Sequence, residues 1–117
     1  MLIWVIQIVV AVLFFLVASQ KLISTDEVVA NFRRWEMPDN FHVVIGVLEV
    51  LGAVGLLIPR TAGMAALGLM FIMVGAIYTH LTHDPAQMLV LPAVTFLLLG
   101  FVALNRNPMA IFGNRAQ

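Results

Sequence analysis

Residues 41–58 read FHVVIGVLEVLGAVGLLI, a run that is apolar throughout except for His42 and Glu49. As a helix it would reach about 27 Å at 1.5 Å per residue, close to the ~30 Å of bilayer hydrocarbon. Glu49 stands at its middle. An acid at that depth costs several kcal/mol unless it is neutralised or partnered, so it must face other helices and not lipid. One stretch therefore implies both a membrane and a bundle.

The flanking sequence repeats the pattern. Pro38-Asp39-Asn40 precedes the run as a stop followed by N-cap candidates. Three further apolar runs cover residues 2–22, 61–79 and 86–104. The first, with Val17-Ala18-Ser19 near its end, resembles a secretory signal but lacks a positive n-region, so it is expected to be a retained first span. The last is opened by Asp84-Pro85 with Gln87 behind, which reads as an N-cap, a proline at N1 and a capping box; Pro92 inside it predicts a bend. Short connections after the second and third runs make their helices antiparallel neighbours. The expected fold is all-α: an integral membrane four-helix bundle forming a single transmembrane domain over residues 1–117.

Residues 24–40 carry a signature of their own. Ser24 and Glu27 make a capping-box pair, and Val28, Phe32 and Trp35 recur at i, i+4, i+7. This predicts a short interfacial helix between spans one and two, with Trp35 at headgroup level, or else a plain connector.

Composition agrees. Hydrophobic residues make up 62% of the 117 positions and charged residues 10%, against about a quarter charged in soluble domains. Mean hydropathy is +1.06. Net charge is zero with no basic run, so nucleic acid is not an expected partner, whereas the lipid bilayer is. The absence of cysteine excludes disulfide and thiol chemistry. Four crossings put both termini on one side, with Arg60, Arg106 and Arg115, opposite Lys21, Arg33 and Arg34. That basic count is even; the lean towards cytoplasmic termini comes from Asp26, Glu27, Glu36 and Asp39 on the other side.

Chemistry can reside in few places. Glu49 is either a polar clamp between helices or part of a ligand or proton site. His42, seven residues earlier, projects nearly in line with it about 10 Å along the axis, as an interfacial anchor or the wall of a cavity. Chain direction brings Lys21, His42, Tyr78, His80 and His83 to one mouth of the bundle. His80 and His83 at i, i+3 could supply two ligands, but nothing completes a set, so no metal or haem is expected. Asp84 reads as a helix cap. Gly46, Gly52, Ala53 and Gly55, with Ala62, Ala65, Ala66, Gly68 and Gly75, permit close helix approach.

Lys21-Leu22 closing the first span, residues 46–53 (GVLEVLGA), residues 55–60 (GLLIPR) and residues 75–80 (GAIYTH) resemble the DoxX-like membrane proteins in order and spacing. The resemblance runs from about Leu13 to Leu104. It implies a four-helix membrane form with recurrent polar positions at Lys21, Glu49, Tyr78 and His80. The family is linked to thiosulfate:quinone oxidoreduction and membrane redox complexes, and a distant branch to receptor assembly. The resemblance thus implies a small oxidoreductase-related subunit of the bacterial inner membrane that binds a lipophilic, quinone-like molecule. In that reading Glu49, Tyr78 and His80 handle protons, while Lys21, with His42 and His83, binds the ligand. The alternative is a non-catalytic chaperone or assembly partner for other membrane proteins. A redox protein or a second copy of the chain is a candidate partner in either case.

Overall fold

The computed structural model describes residues 2–109; Met1 and residues 110–117, including the Arg115 of the charge count, lie outside the described residues. The described chain is helical without strands. Five α-helices follow in order: α1 (Leu2–Leu22), α2 (Asp26–Arg34), α3 (Phe41–Leu56), α4 (Pro59–His83) and α5 (Val90–Asn105), the last preceded by a 3₁₀ turn at Ala86–Leu89. Three stretches are long and apolar enough to cross a membrane: Leu2–Leu22, Pro59–His83 and Ala86–Asn105. α3, at 16 residues, is apolar but shorter, about 24 Å.

α1 packs chiefly on α3, α3 on α4, α4 on α5, and α5 returns to α1. The core inside this ring is built from Val10, Phe14, Leu56, Ala62, Ala66, Leu69, Leu99 and Val102, all at 0–1% exposure. Large apolar side chains also cover the outside, among them Leu16, Leu51, Phe71 and Leu97, each more than 60% exposed. Water tolerates no such surface, whereas lipid solvates it without cost.

Glycine sets the closeness of approach. A Cβ at Gly52 would lie 2.6 Å from Leu69 Cδ2, and one at Gly55 would lie 2.8 Å from Ala65 Cβ, so α3 and α4 meet through these two positions. At Gly63 a Cβ would strike the backbone carbonyl of Arg106, where the chain leaving α5 crosses the first turns of α4.

Several boundaries differ from the sequence reading. α3 stops at Leu56, and Leu57-Ile58 form the whole link to α4, whose first residue is Pro59. α4 runs on through His83, beyond the expected end at Thr79. The α2 N-cap is Thr25 and not Ser24: its hydroxyl accepts from Val28 N at 3.2 Å. Ser24 instead takes a left-handed conformation (φ 55°) and ends α1, with Ser24 N bonded to Lys21 O and Thr25 N to Gln20 O, a Schellman arrangement. Glu36 (φ 61°) ends α2 the same way. Asp84 caps no helix with its side chain; it terminates α4 and is held from elsewhere. α5 begins regularly only at Val90, so Pro92 falls in its first turn, where a missing N–H breaks no bond within α5.

Candidate functional site

The polar side chains gather at the end of the bundle where α1 and α4 finish and α3 begins, in three linked groups.

The deepest is Lys21 with Glu49. Glu49 is 2% exposed, and Lys21 Nζ lies 3.0 Å from its Oε1. That oxygen is buried and makes no directed hydrogen bond, so the ammonium offers counter-charge and leaves the lone pairs of Oε1 available. Gly46 makes this geometry possible. A Cβ there would stand 3.0 Å from Lys21 Cβ and 3.3 Å from Ala18 O, so the bare backbone of α3 seats the lysine stem one turn above the acid. A donor group entering the bundle would find an unsatisfied acceptor beside a cation.

Above it, Ser24 Oγ and His42 Nε2 are 2.9 Å apart, with His42 5% exposed. The Phe32 ring meets the imidazole edge-on at 5.8 Å. Phe32 then contacts Trp35 (5.2 Å between centroids), and Trp35 contacts His80 (5.4 Å, nearly perpendicular). A continuous row of rings on α2 therefore connects the histidine of α3 to that of α4.

The third group converges on Asp84. Oδ1 accepts from Arg34 Nη1, while Oδ2 accepts from Trp35 Nε1 at 3.1 Å and from His80 Nδ1 at 2.7 Å. Arg34 also bonds Asn31 Oδ1 and lies over the Trp35 ring at 5.5 Å. Removal from water raises the Asp84 carboxyl, but the bonds from Arg34 and His80, the Arg34 charge and the indole together outweigh this and hold it below the ordinary carboxylate value. α2 is thereby strapped across the end of the bundle from α1 to the α4–α5 connection.

The residues singled out in the sequence are divided by this arrangement. Lys21 and Glu49 are together, and His42 stands near them. His80 is engaged by Asp84, and no hydrogen bond or ion pair among the described residues joins it to Lys21 or Glu49. Tyr78 is 68% exposed on the outer face of α4. His83 bonds Thr82 Oγ1 (2.8 Å) and Thr79 O (3.2 Å), apart from the partner of His80.

Other contributors take roles that the sequence does not assign them: Trp35 reads there as a headgroup anchor, Asp84 as a helix cap, Gly46 as a packing residue and Arg34 only as a charge. Arg34, Trp35 and Asp84 form the strap, and Gly46 is the seat of Lys21. At the opposite end, Gln7 is fully buried in α1, donates to Leu56 O at 2.6 Å and accepts from Arg106 Nε at 2.9 Å; Arg106 also stacks on Trp4 at 5.2 Å. Its signal was present, since a glutamine inside an apolar run needs a partner as an acid does.

Long apolar helices, a lipid-compatible exterior and a buried ion pair define a small all-helical integral membrane protein. The family model described as the DoxX-like family matches residues 5–102, and the chain belongs to that family. Comparison with curated proteins and with solved structures found no match.

Proposed function

We propose that this DoxX-like protein crosses the bacterial inner membrane four times, with α3 as the short fourth span and α2 at the interface, and binds a lipophilic, quinone-like molecule beside Glu49. The observation that carries this reading is the buried Glu49 Oε1, which has Lys21 Nζ at 3.0 Å outside hydrogen-bond geometry and no other hydrogen-bond partner among the described residues. A carboxylate oxygen beside one ammonium keeps lone-pair capacity that a ligand hydroxyl can use. Reduction of a quinone to a quinol takes up two electrons and two protons. The electrons come from a partner redox protein; protonated Glu49 gives one proton to the ligand oxygen, Lys21 stabilises negative charge developing there, and Glu49 takes up a proton from the aqueous side past Ser24–His42 before giving the second. With α2 at the interface, His80 and Tyr78 lie near the same surface, His80 in a holding role. Cytoplasmic termini complete the proposed topology.

A second reading, assembly partner, is favoured by the outer face of α4. Phe71, Val74, Tyr78 and Leu81 are exposed there, and a Cβ at Gly68 or Gly75 would meet nothing within 4 Å. Such a face suits another transmembrane helix as well as lipid.

The two readings part in one experiment: purify the full chain in mild detergent, extract it for isoprenoid quinones, and titrate it with decylubiquinone. Retained quinone and saturable binding, both lost in Glu49→Gln with the helix content unchanged, support the first. No retained quinone and no saturable binding refute it.

A further inference from the structure

A pocket of about 310 Å³ opens between α2 and the start of α3, bounded by Ser24, Phe32, Arg33, Asp39, Asn40 and His42. It is separate from the Lys21–Glu49 pair, neither of which lines it. Its volume equals that of roughly ten waters in the liquid, and falls at the lower end of small-ligand sites. Two features set it apart from a surface dent. Arg33 and Asp39 both line it, yet they do not pair with one another, and among the described residues neither side chain has another ionic or hydrogen-bonded partner. Ser24 and Asn40, also in the wall, are two of the three non-glycine residues with positive φ among the described residues. The chain therefore turns sharply on both sides of the pocket, Ser24 ending α1 and Asn40 opening α3.

An unpaired cation and an unpaired anion in one pocket fit a ligand that carries both charges. We propose that this pocket binds a phosphate joined to a primary ammonium, in the form of an aminophospholipid headgroup. Arg33 meets the phosphate, with the Ser24 hydroxyl and the His42 ring as hydrogen-bonding partners, and Asp39 meets the ammonium. The membrane is the source for a reason of position. With α2 at the interface, as proposed above, the pocket lies where α1 gives way to α2, between the apolar spans and the polar residues 33–40, and so at the depth of headgroups. Within a turn of His42, α3 begins an exposed apolar face, Val44, Val47, Leu48 and Leu51, that can receive acyl chains. A free anion would need no Asp39, and a choline headgroup offers no N–H to it.

The test uses the full chain in nanodiscs of equimolar phosphatidylethanolamine, phosphatidylcholine and phosphatidylglycerol, with retained lipid read by native mass spectrometry. The wild type should retain phosphatidylethanolamine over each of the other two lipids in a ratio of about two to five, the discrimination expected of partly exposed ionic contacts. Arg33→Met should lower retention of both phosphatidylethanolamine and phosphatidylglycerol. Asp39→Asn should bring the ratio of these two close to one. Both side chains are exposed, so neither change should disturb the fold. Soluble phosphoethanolamine separates the sources: enrichment that survives millimolar competitor assigns the site to lipid, and enrichment abolished by it assigns the site to a free zwitterion and overturns the lipid. Retention in bulk proportions, or enrichment indifferent to both substitutions, overturns the pocket as a site.

Discussion

Replacing Lys21 by Met while leaving Glu49 in place tests the inner pair most sharply. Glu49 is 2% exposed and Lys21 Nζ at 3.0 Å is the cation beside its Oε1, which has no other hydrogen-bond partner among the described residues, so the substitution strands a buried acid without its counter-charge. Removing one partner of a buried pair costs about 3–5 kcal/mol in water-soluble proteins. In a membrane the unfolded reference state finds partners too, which reduces the expected loss to about 2–3 kcal/mol. The converse change is milder. The Lys21 side chain is 17% exposed near a helix end, so in Glu49→Gln it can swing its ammonium to the interface, at a cost of about 1 kcal/mol. Lys21→Met should therefore destabilise more than Glu49→Gln, and the double variant should recover most of the difference. Reversible unfolding in mixed micelles, run as a double-mutant cycle, measures all three. Strict additivity, or a larger loss from Glu49→Gln than from Lys21→Met, would refute the pairing and its direction.

Gly46→Ala should be tolerated with a shift of a few tenths of an ångström, whereas Gly46→Leu should displace the Lys21 stem, lower stability by about 1–3 kcal/mol and abolish the coupling in the Lys21/Glu49 cycle. Asp84→Asn should loosen the strap, read as faster amide exchange over residues 26–36 with exchange in α1 unchanged. The sign of its pH dependence follows from a carboxyl held below its ordinary value: the stabilisation is fully present above the unfolded value near 4 and is lost as pH falls through the lower folded value, so unlatching caused by Asp84 should not begin between pH 7 and about 5. Glu36→Gly should raise stability by up to about 1 kcal/mol in thermal unfolding, because glycine takes the left-handed φ of 61° without strain. Reporter tags fused to Met1 and Gln117 should appear in the same compartment; opposite compartments would overturn the four-span topology.

Much of the architecture was legible because it depends on hydropathy alone: the long apolar runs became α1, α4 and α5, and Val28, Phe32 and Trp35 marked α2 correctly. Boundaries were less legible because local chemistry had two uses for the same residue. Ser24 looks like a cap from its neighbours, but Thr25 has the hydroxyl in register, and Ser24 turns the chain and meets His42. Asp84 before a proline has the form of an N-cap, yet Arg34, Trp35 and His80 arrive from elsewhere and take both oxygens. Chain direction placed Lys21, Tyr78 and His80 at one end, but not on one face: Tyr78 points outward on α4 while His80 turns towards α2. Glu49 drew attention from its position alone; the identity of its partner needed the α1–α3 packing that Gly46 allows.

Gln7 and Arg106 are 99 residues apart, so Arg106 emerges from the ribosome long after Gln7. Until then Gln7, already released into the bilayer, has only half of its amide served, by Leu56 O. The early helices must therefore wait with a polar group incompletely matched in an apolar solvent. Helix α5 cannot be traded for an arbitrary hydrophobic span, because the ring closes chemically only when the residue following it is an arginine that can reach back to the first turns of the chain.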